Sequence, residues 1–199
     1  MASETGICNM SLRMLGLNAI SDINEKKRQE ARDCKIYYST SRDFVLGDAP
    51  WPFATTMREL SPSEMPENFN AEFRYAFVYP VKAARLNSLS KKGEYDTIHY
   101  DTVLSPDGVR LVLADEQCVV ARYNLNITDP SAFSAHFALA VVYHLASFLA
   151  VSLRGNQQMQ QTNIQLYAGV RALAFRQAQR ETNRERAKKS NWIEARTKL

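Results

Sequence analysis

The chain has 199 residues, a hydrophobic content of 45% and a net charge of +4, which is enough apolar material for one domain with a real core. Its cysteines, Cys8, Cys34 and Cys118, lie far apart; this excludes a disulfide framework and favours buried, reduced thiols. The sequence has neither a long uninterrupted apolar run nor a signal-peptide pattern, so we expect no membrane span and no secretion.

The first quarter of the chain predicts two helices that pair with each other. Residues 3–15 place apolar side chains at steps of three and four and stop at Gly16. Residues 25–46 repeat small and apolar positions at the same spacing, with charged residues crowded into the first two turns and Gly47 as the end.

A proline-rich stretch at 48–70 then predicts a long ordered loop, because each proline removes an amide donor and favours extended geometry before it. We expect the tetrad Pro50–Phe53 to anchor this loop by burying the rings of Trp51 and Phe53 in the core. An exposed contact site at the same rings is the alternative.

The middle of the chain predicts a small antiparallel β-meander at about 72–127. Four segments have aromatic or β-branched residues in alternation. They are an aromatic run that ends at Pro80, then Tyr95–Tyr100, Val109–Leu113 and Val119–Ile127, with a turn at Ser105–Gly108 before the third.

Two long helices are predicted for the remainder. The first is capped by Thr128 or Asp129 and runs as an apolar core helix to Gly155. The second starts near Asn156 and loses its apolar stripe near Phe175, after which it continues as a polar basic arm. The predicted fold class is therefore mainly α. We expect an antiparallel helical bundle in residues 1–175, with the inserted β-meander, and a long basic arm in residues 176–199.

The charge is strongly asymmetric along the chain. Residues 154–199 carry ten Lys and Arg against three Asp and Glu, a net +7, which leaves −3 for residues 1–153. Within the arm, Arg176, Arg180, Arg184 and Lys188 step by four and would form one cationic ridge. Protein docking, nucleic-acid contact and a solvated helix face all fit this ridge, and the aromatic and aliphatic pair near its end favours protein docking.

No motif in the sequence predicts an enzyme, a metal site or a cofactor. The three histidines, His99, His136 and His144, lack ligand spacing, and we expect His144 to be the more deeply placed of the last two. There is no nucleophile elbow and no glycine-rich phosphate loop. The acid pairs Asp96 with Asp101 and Glu64 with Glu67 leave a glycoside hydrolase as a remote alternative.

The order of elements resembles the head-to-tail adaptor family of short-tailed bacteriophages, also called tail tubular protein A or head-tail connector proteins. The resemblance is carried by the start Ile7–Gly16, by the second helix with Tyr37–Tyr38 and Arg42–Asp43, and by the Trp-Pro-Phe-Ala element at 51–54. It continues through the aromatic run, the short strands and the Asp129–Pro130 helix start, and so covers most of the chain.

This resemblance implies a structural virion protein in the neck of the particle, assembled in the host cytoplasm, with no enzymatic activity and no membrane contact. Twelve copies would form a ring between the portal protein and the tail nozzle or hub, and DNA would pass through the lumen without sequence-specific binding. A helical nucleic-acid-binding module is the principal alternative, and a tail-associated cell-wall hydrolase is a weaker one.

At the level of segments, the resemblance implies that the arm docks on the portal and that the strand region faces the tail component. The tail-facing candidates are Tyr95, Tyr100 and Tyr123. The glutamine cluster at 157–165 is a hypothetical uncharged wall of the channel. The portal-docking candidates are Arg176, Arg180, Arg184, Arg186, Lys188, Lys189, Trp192, Ile193 and Arg196.

Overall fold

The computed structural model describes residues 3–66, 72–94 and 96–187, with the side chains of the last helix described to Ala178. It is 46% helical and 22% strand, with four helices and seven strands in the described residues. Residues 3–54 and 126–180 form a helical unit, and residues 55–125, grouped with 181–187 at the end of the last helix, form a β unit. The fold is therefore mixed α/β. The prediction of a mainly α bundle is wrong because the inserted region contains two antiparallel sheets rather than one small meander.

Four α-helices are present in the described part of the chain. They are α1 (Glu4–Met14), α2 (Gln29–Asp48), α3 (Ala135–Arg154) and α4 (Gln157–Ala187). Each corresponds to a predicted helix, because each carries apolar residues at steps of three and four over several turns. The N-terminus of α1 is capped by the Ser3 side chain, whose oxygen accepts a hydrogen bond from the Gly6 amide.

The core of the helical unit is built around α3, against which both α1 and α2 pack. Phe137, Val141, Leu145 and Leu149 of α3 are completely buried. The Ser11 hydroxyl of α1 donates to the Val142 carbonyl at 3.0 Å, which satisfies a buried polar group across this contact. α1, α2 and α3 therefore pack together and enclose one apolar core.

α3 is also the one described helix that is long and apolar enough to cross a membrane. Half of its most apolar window is buried inside the unit. Core helices of water-soluble proteins meet the same criteria of length and composition, so this observation is weak evidence for a membrane span.

The starts of α2 and α3 differ from the prediction. α2 begins at Gln29 rather than at 25, and Arg28 before it donates to the Ala19 carbonyl at 2.7 Å, which ties that segment to a turn. Asp129 caps only a short 3-10 helix, Pro130–Ala132, and α3 then starts behind its own cap, Ser134. Several residues near the start of a helix can act as its cap. The exact first residue is therefore the least certain part of a helix prediction from sequence.

The cysteine prediction holds for two of the three residues. Cys8 and Cys34 are fully buried, and the hydrogen bond between their thiols, together with burial, raises the pKa of Cys8. Cys118 is exposed, so the expectation that it is buried is wrong. It lies just before a strand, in a turn that directs its side chain outwards.

Gly155 separates α3 from α4 by adopting a left-handed conformation with φ of 59°, and its amide donates to the Val151 carbonyl at 3.0 Å. Nearby, the Arg154 guanidinium donates to the carbonyl of Gly16 at 2.9 Å and to that of Leu15 at 3.2 Å. The end of α3 is thus fixed to the end of α1, and the chain reverses within two residues into α4.

Gly169 lies inside α4, and a Cβ atom built there would meet nothing within 4 Å. Glycine inside a helix costs about 0.5–1 kcal/mol relative to alanine, so we expect Gly169→Ala to raise the free energy of unfolding by that amount. The midpoint of thermal unfolding should rise by about 2–4 °C. Calorimetry measures this change. The matched control Gly155→Ala should be destabilising, since alanine is strained at positive φ; equal effects of the two variants would contradict the prediction.

The β unit contains seven strands in two antiparallel sheets, counted over its described residues. The three-stranded sheet has the order β1-β7-β4, and the four-stranded sheet has the order β2-β3-β6-β5. The strands are β1 (Thr55–Glu59), β2 (Pro62–Ser63), β3 (Tyr75–Val78), β4 (Ala83–Lys91), β5 (Asp101–Leu104), β6 (Arg110–Ala114) and β7 (Val119–Leu125).

One apolar core is shared by the two sheets. The four-stranded sheet contributes Phe77 and Val112, which are directly paired across β3 and β6, and the three-stranded sheet contributes Leu89 and Ala121, which are paired across β4 and β7. Since successive residues of a strand face opposite sides, Ala76 and Leu113 lie on the other face of the four-stranded sheet. There they form a second, smaller cluster with Phe73, against which Met65 and Val103 pack.

The strand predictions are confirmed for β6 and β7 and in part for β3, which lies within the predicted aromatic run. β1 and β2 lie in the stretch predicted as loop, and β4 was not predicted at all. A strand was predicted at Tyr95–Tyr100, where the described residues show only an isolated bridge between Ser90 and Thr97; the next strand, β5, begins at Asp101. β1 and β4 lack a simple alternation because β1 is largely exposed and β4 carries register shifts.

Candidate functional site

The basic arm follows the last buried residues that are described on α4. The inward face of α4 consists of Asn163, Tyr167, Val170 and Ala174, and these are its buried residues up to Ala178. Arg176 follows and is exposed. Arg180, Arg184 and Arg186 belong to α4 by their backbone, whereas Lys188, Lys189, Trp192, Ile193 and Arg196 lie outside the described residues.

The Pro50–Phe53 loop lies inside the helical unit. Trp51 is 1% exposed; its ring meets that of Phe137 edge-on at 5.1 Å, and its Nε1 donates to the Val45 carbonyl at 2.6 Å. The half-buried ring of Phe53 packs on Phe133 and Phe137, with ring centroids 6.2 and 4.9 Å apart. The two aromatic rings therefore join the end of α2 to the start of α3.

The tail-facing candidates occupy different environments in the β unit. Tyr123 is 4% exposed and is part of the shared core, so its ring is not available on an outer surface. Tyr100 is half-buried against the same core, and this burial raises the pKa of its hydroxyl. Tyr95 is outside the described residues. Contact with a tail protein stays a prediction for Tyr95 and Tyr100.

A polar cluster that the sequence did not predict fixes α4 to the end of α2. Oδ2 of Asp48 accepts a hydrogen bond from the Tyr167 hydroxyl at 2.6 Å, and the same oxygen lies 2.6 Å from Nε of Arg171 in an ion pair. Because Tyr167 and Arg171 are four residues apart, they project from one face of α4. We call Asp48, Tyr167 and Arg171 the Asp48 cluster. Asp48 and Tyr167 are 119 residues apart in the chain, and no local pattern connects them.

Aromatic rings surround this cluster. His144 of α3 stacks on Phe44 of α2 at 4.4 Å and meets the rings of Tyr167 and Phe148 edge-on at 5.3 and 5.2 Å. The expectation that His144 is placed more deeply than His136 is confirmed, since His136 is exposed. Burial lowers the pKa of His144, and the nearby carboxylate of Asp48 opposes this shift only in part.

The lowered pKa of His144 gives a pH dependence with a definite sign. The folded chain favours neutral histidine, so the resulting stability is present above about pH 6.5, the unfolded value, and is lost as the pH falls. We expect the free energy of unfolding to decrease between pH 7.5 and 5 by at most about 1.4 kcal/mol per pH unit from this group. His144→Phe should remove the part of the pH dependence of the unfolding free energy that comes from His144, while it keeps a ring in contact with the same neighbours. Denaturation at several pH values measures the difference between the two chains; identical slopes would contradict the assignment.

A groove opens on the β unit, on the face of the four-stranded sheet that turns away from the shared core. Its volume is about 530 Å³. Leu111 and Val109 form an apolar floor, and the segment around Met65 and the turn after β5 form the walls. Two exposed acidic residues, Glu64 and Asp107, line it as well.

The described residues contain no group of three or more His, Cys, Asp or Glu side chains that could hold a metal ion. No protein-family model matches the chain, and no significant match to a curated protein was found.

Proposed function

We propose that this protein is the head-to-tail adaptor of a short-tailed bacteriophage, a structural protein of the virion neck that links the portal to the tail nozzle or hub. The observation that carries the proposal is that α4 extends beyond Ala174, the last buried residue among its side chains described to Ala178, as far as Ala187. At 1.5 Å per residue this extension is about 20 Å long. The order of sequence elements, from Leu15-Gly16 to the Trp-Pro-Phe-Ala loop, supports the choice of family.

The charge distribution supports docking of this extension on another molecule. A helical segment without an apolar stripe gains little stability from packing within its own chain. Contact with a partner molecule explains such a segment best. The extension carries exposed Arg176, and the sequence then has five more cations to Lys189, followed by Trp192 and Ile193. An aromatic anchor flanked by basic residues is a common composition of interface cores. We assign the portal as this partner.

In this account the adaptor performs no chemical step. The helical unit is a preformed body, the arm attaches it to the portal, and twelve copies close into a ring whose lumen passes DNA without reading its sequence. The surface for the tail protein would arise only when the ring closes, which makes assembly sequential. The β unit, with the half-buried Tyr100, is the candidate tail-facing part.

The second candidate function is a helical nucleic-acid-binding module. The spacing of Arg176, Arg180, Arg184 and Lys188 by four residues favours it, because such a ridge can follow a line of phosphates. The two functions are distinguished by mixing the protein with a portal ring and, separately, with free DNA. The adaptor binds the portal through its arm; the module binds free DNA with an affinity that falls steeply as salt increases.

A further inference from the structure

The groove on the β unit combines an apolar floor with free negative charge. Leu111, at 2% exposure, closes the bottom, and Val109, at 45%, extends the floor towards solvent. Neither Glu64 nor Asp107 forms an ion pair with another described residue, although both line the groove. A site of this kind suits a segment that has a bulky apolar side chain between cations.

The chain itself contains such a segment. Twelve residues follow Ala187, the last described residue, with the sequence KKSNWIEARTKL. They include four Lys or Arg against one Glu, and Trp192-Ile193 lies at their centre. A tryptophan buries some 150–250 Å² when it is enclosed. A groove of about 530 Å³ has room for the indole and the isoleucine together.

We propose that the β-unit groove binds the C-terminal segment 188–199 of this chain. Trp192 and Ile193 would cover the floor at Leu111 and Val109, and Lys188, Lys189 and Arg196 would lie near the carboxylates of Glu64 and Asp107. Opposite charges on the two parts favour this occupant over an acidic peptide or a nucleic acid, both of which the carboxylates repel.

Binding of the segment would have a consequence for assembly. A segment held in the groove is unavailable to a portal, so a portal must compete with the groove for it. The groove would thus keep the segment from binding other surfaces until a portal, which would bind the segment more strongly, is present. The recognition itself concerns two parts of one chain and does not depend on the proposed function.

The experiment measures this recognition with a fluorescent peptide of residues 188–199. The receptor is the full-length chain with Trp192→Ala and Ile193→Ala, so that its own segment does not compete. We expect saturable binding in anisotropy, with a dissociation constant of roughly 10–100 μM, that weakens as salt increases. Amide resonances of Val109 and Leu111 should shift on titration.

Matched variants locate the site. Glu64→Gln with Asp107→Asn should weaken binding about fivefold to tenfold, because two rim charges are lost. Glu94→Gln with Glu116→Gln removes the same net charge elsewhere on the β unit and should leave the affinity unchanged. A peptide with Ala at positions 192 and 193 should bind at least about tenfold more weakly. The absence of saturable binding, or equal effects of the two double variants, would overturn the proposal.

Discussion

Replacing Trp51 by alanine should lower the free energy of unfolding of the helical unit by about 3–5 kcal/mol. Trp51 is almost completely buried, its ring contacts Phe137, and its indole N–H donates to the Val45 carbonyl at 2.6 Å. Alanine would leave a cavity and a carbonyl without its donor at the junction of α2 and α3. Chemical denaturation followed by the helical circular dichroism signal measures the loss.

Two further substitutions separate the parts of this effect. Trp51→Phe keeps a ring but removes the N–H donor, so it should cost less than Trp51→Ala. Met57→Ala, at a residue that is 59% exposed on β1, should change the stability by no more than about 0.5 kcal/mol. If Trp51→Ala were as mild as Met57→Ala, the loop would not be an anchor of the fold.

Under the proposed adaptor function, deleting residues 176–199 should abolish attachment to the portal and leave the remaining fold intact. The deletion starts after Ala174, the last buried residue described on α4, so the packed residues Tyr167 and Val170 and the Asp48 cluster are retained. Pull-down on an immobilised portal ring measures attachment, and thermal unfolding measures the fold. We expect binding to fall below detection with little change in the unfolding midpoint.

The contribution of charge to this attachment can be tested within the arm. Arg176→Gln, Arg180→Gln and Arg184→Gln together remove the cationic ridge, whereas Trp192→Ala with Ile193→Ala removes the apolar anchor. Because hot spots are enriched in aromatic residues, the second variant should weaken portal binding more strongly. Undiminished binding of the deleted chain would contradict the docking role of the arm.

The helices were predictable because their signal is local and long. α3 repeats apolar residues from Phe137 to Leu149 on one face, and such a stripe over more than three turns fits no other regular structure. α4 was predicted for the same reason, and the end of its apolar stripe near Phe175 could be read directly from the sequence. The burial of Trp51 and the partial burial of Phe53 followed from the cost of exposing large rings in a proline-rich loop.

The sheets were not predictable to the same extent, because their short strands depend on partners that are distant in sequence. β1 pairs with β7 through Thr55 and Asn124, although its own residues alternate only weakly. β4 has two register shifts, which remove the period of two on which strand recognition depends. The Asp48 cluster required the same long-range information, since α2 and α4 meet only in the folded chain.

The measurement that tests the proposed adaptor function most directly is the mass of the protein by light scattering, alone and then mixed with a purified candidate portal ring. The account predicts a monomer that joins the portal as a complete ring of stoichiometric copies. A protein that ignores the portal and binds free DNA instead would contradict it and would make the arm of α4 a nucleic-acid-binding element.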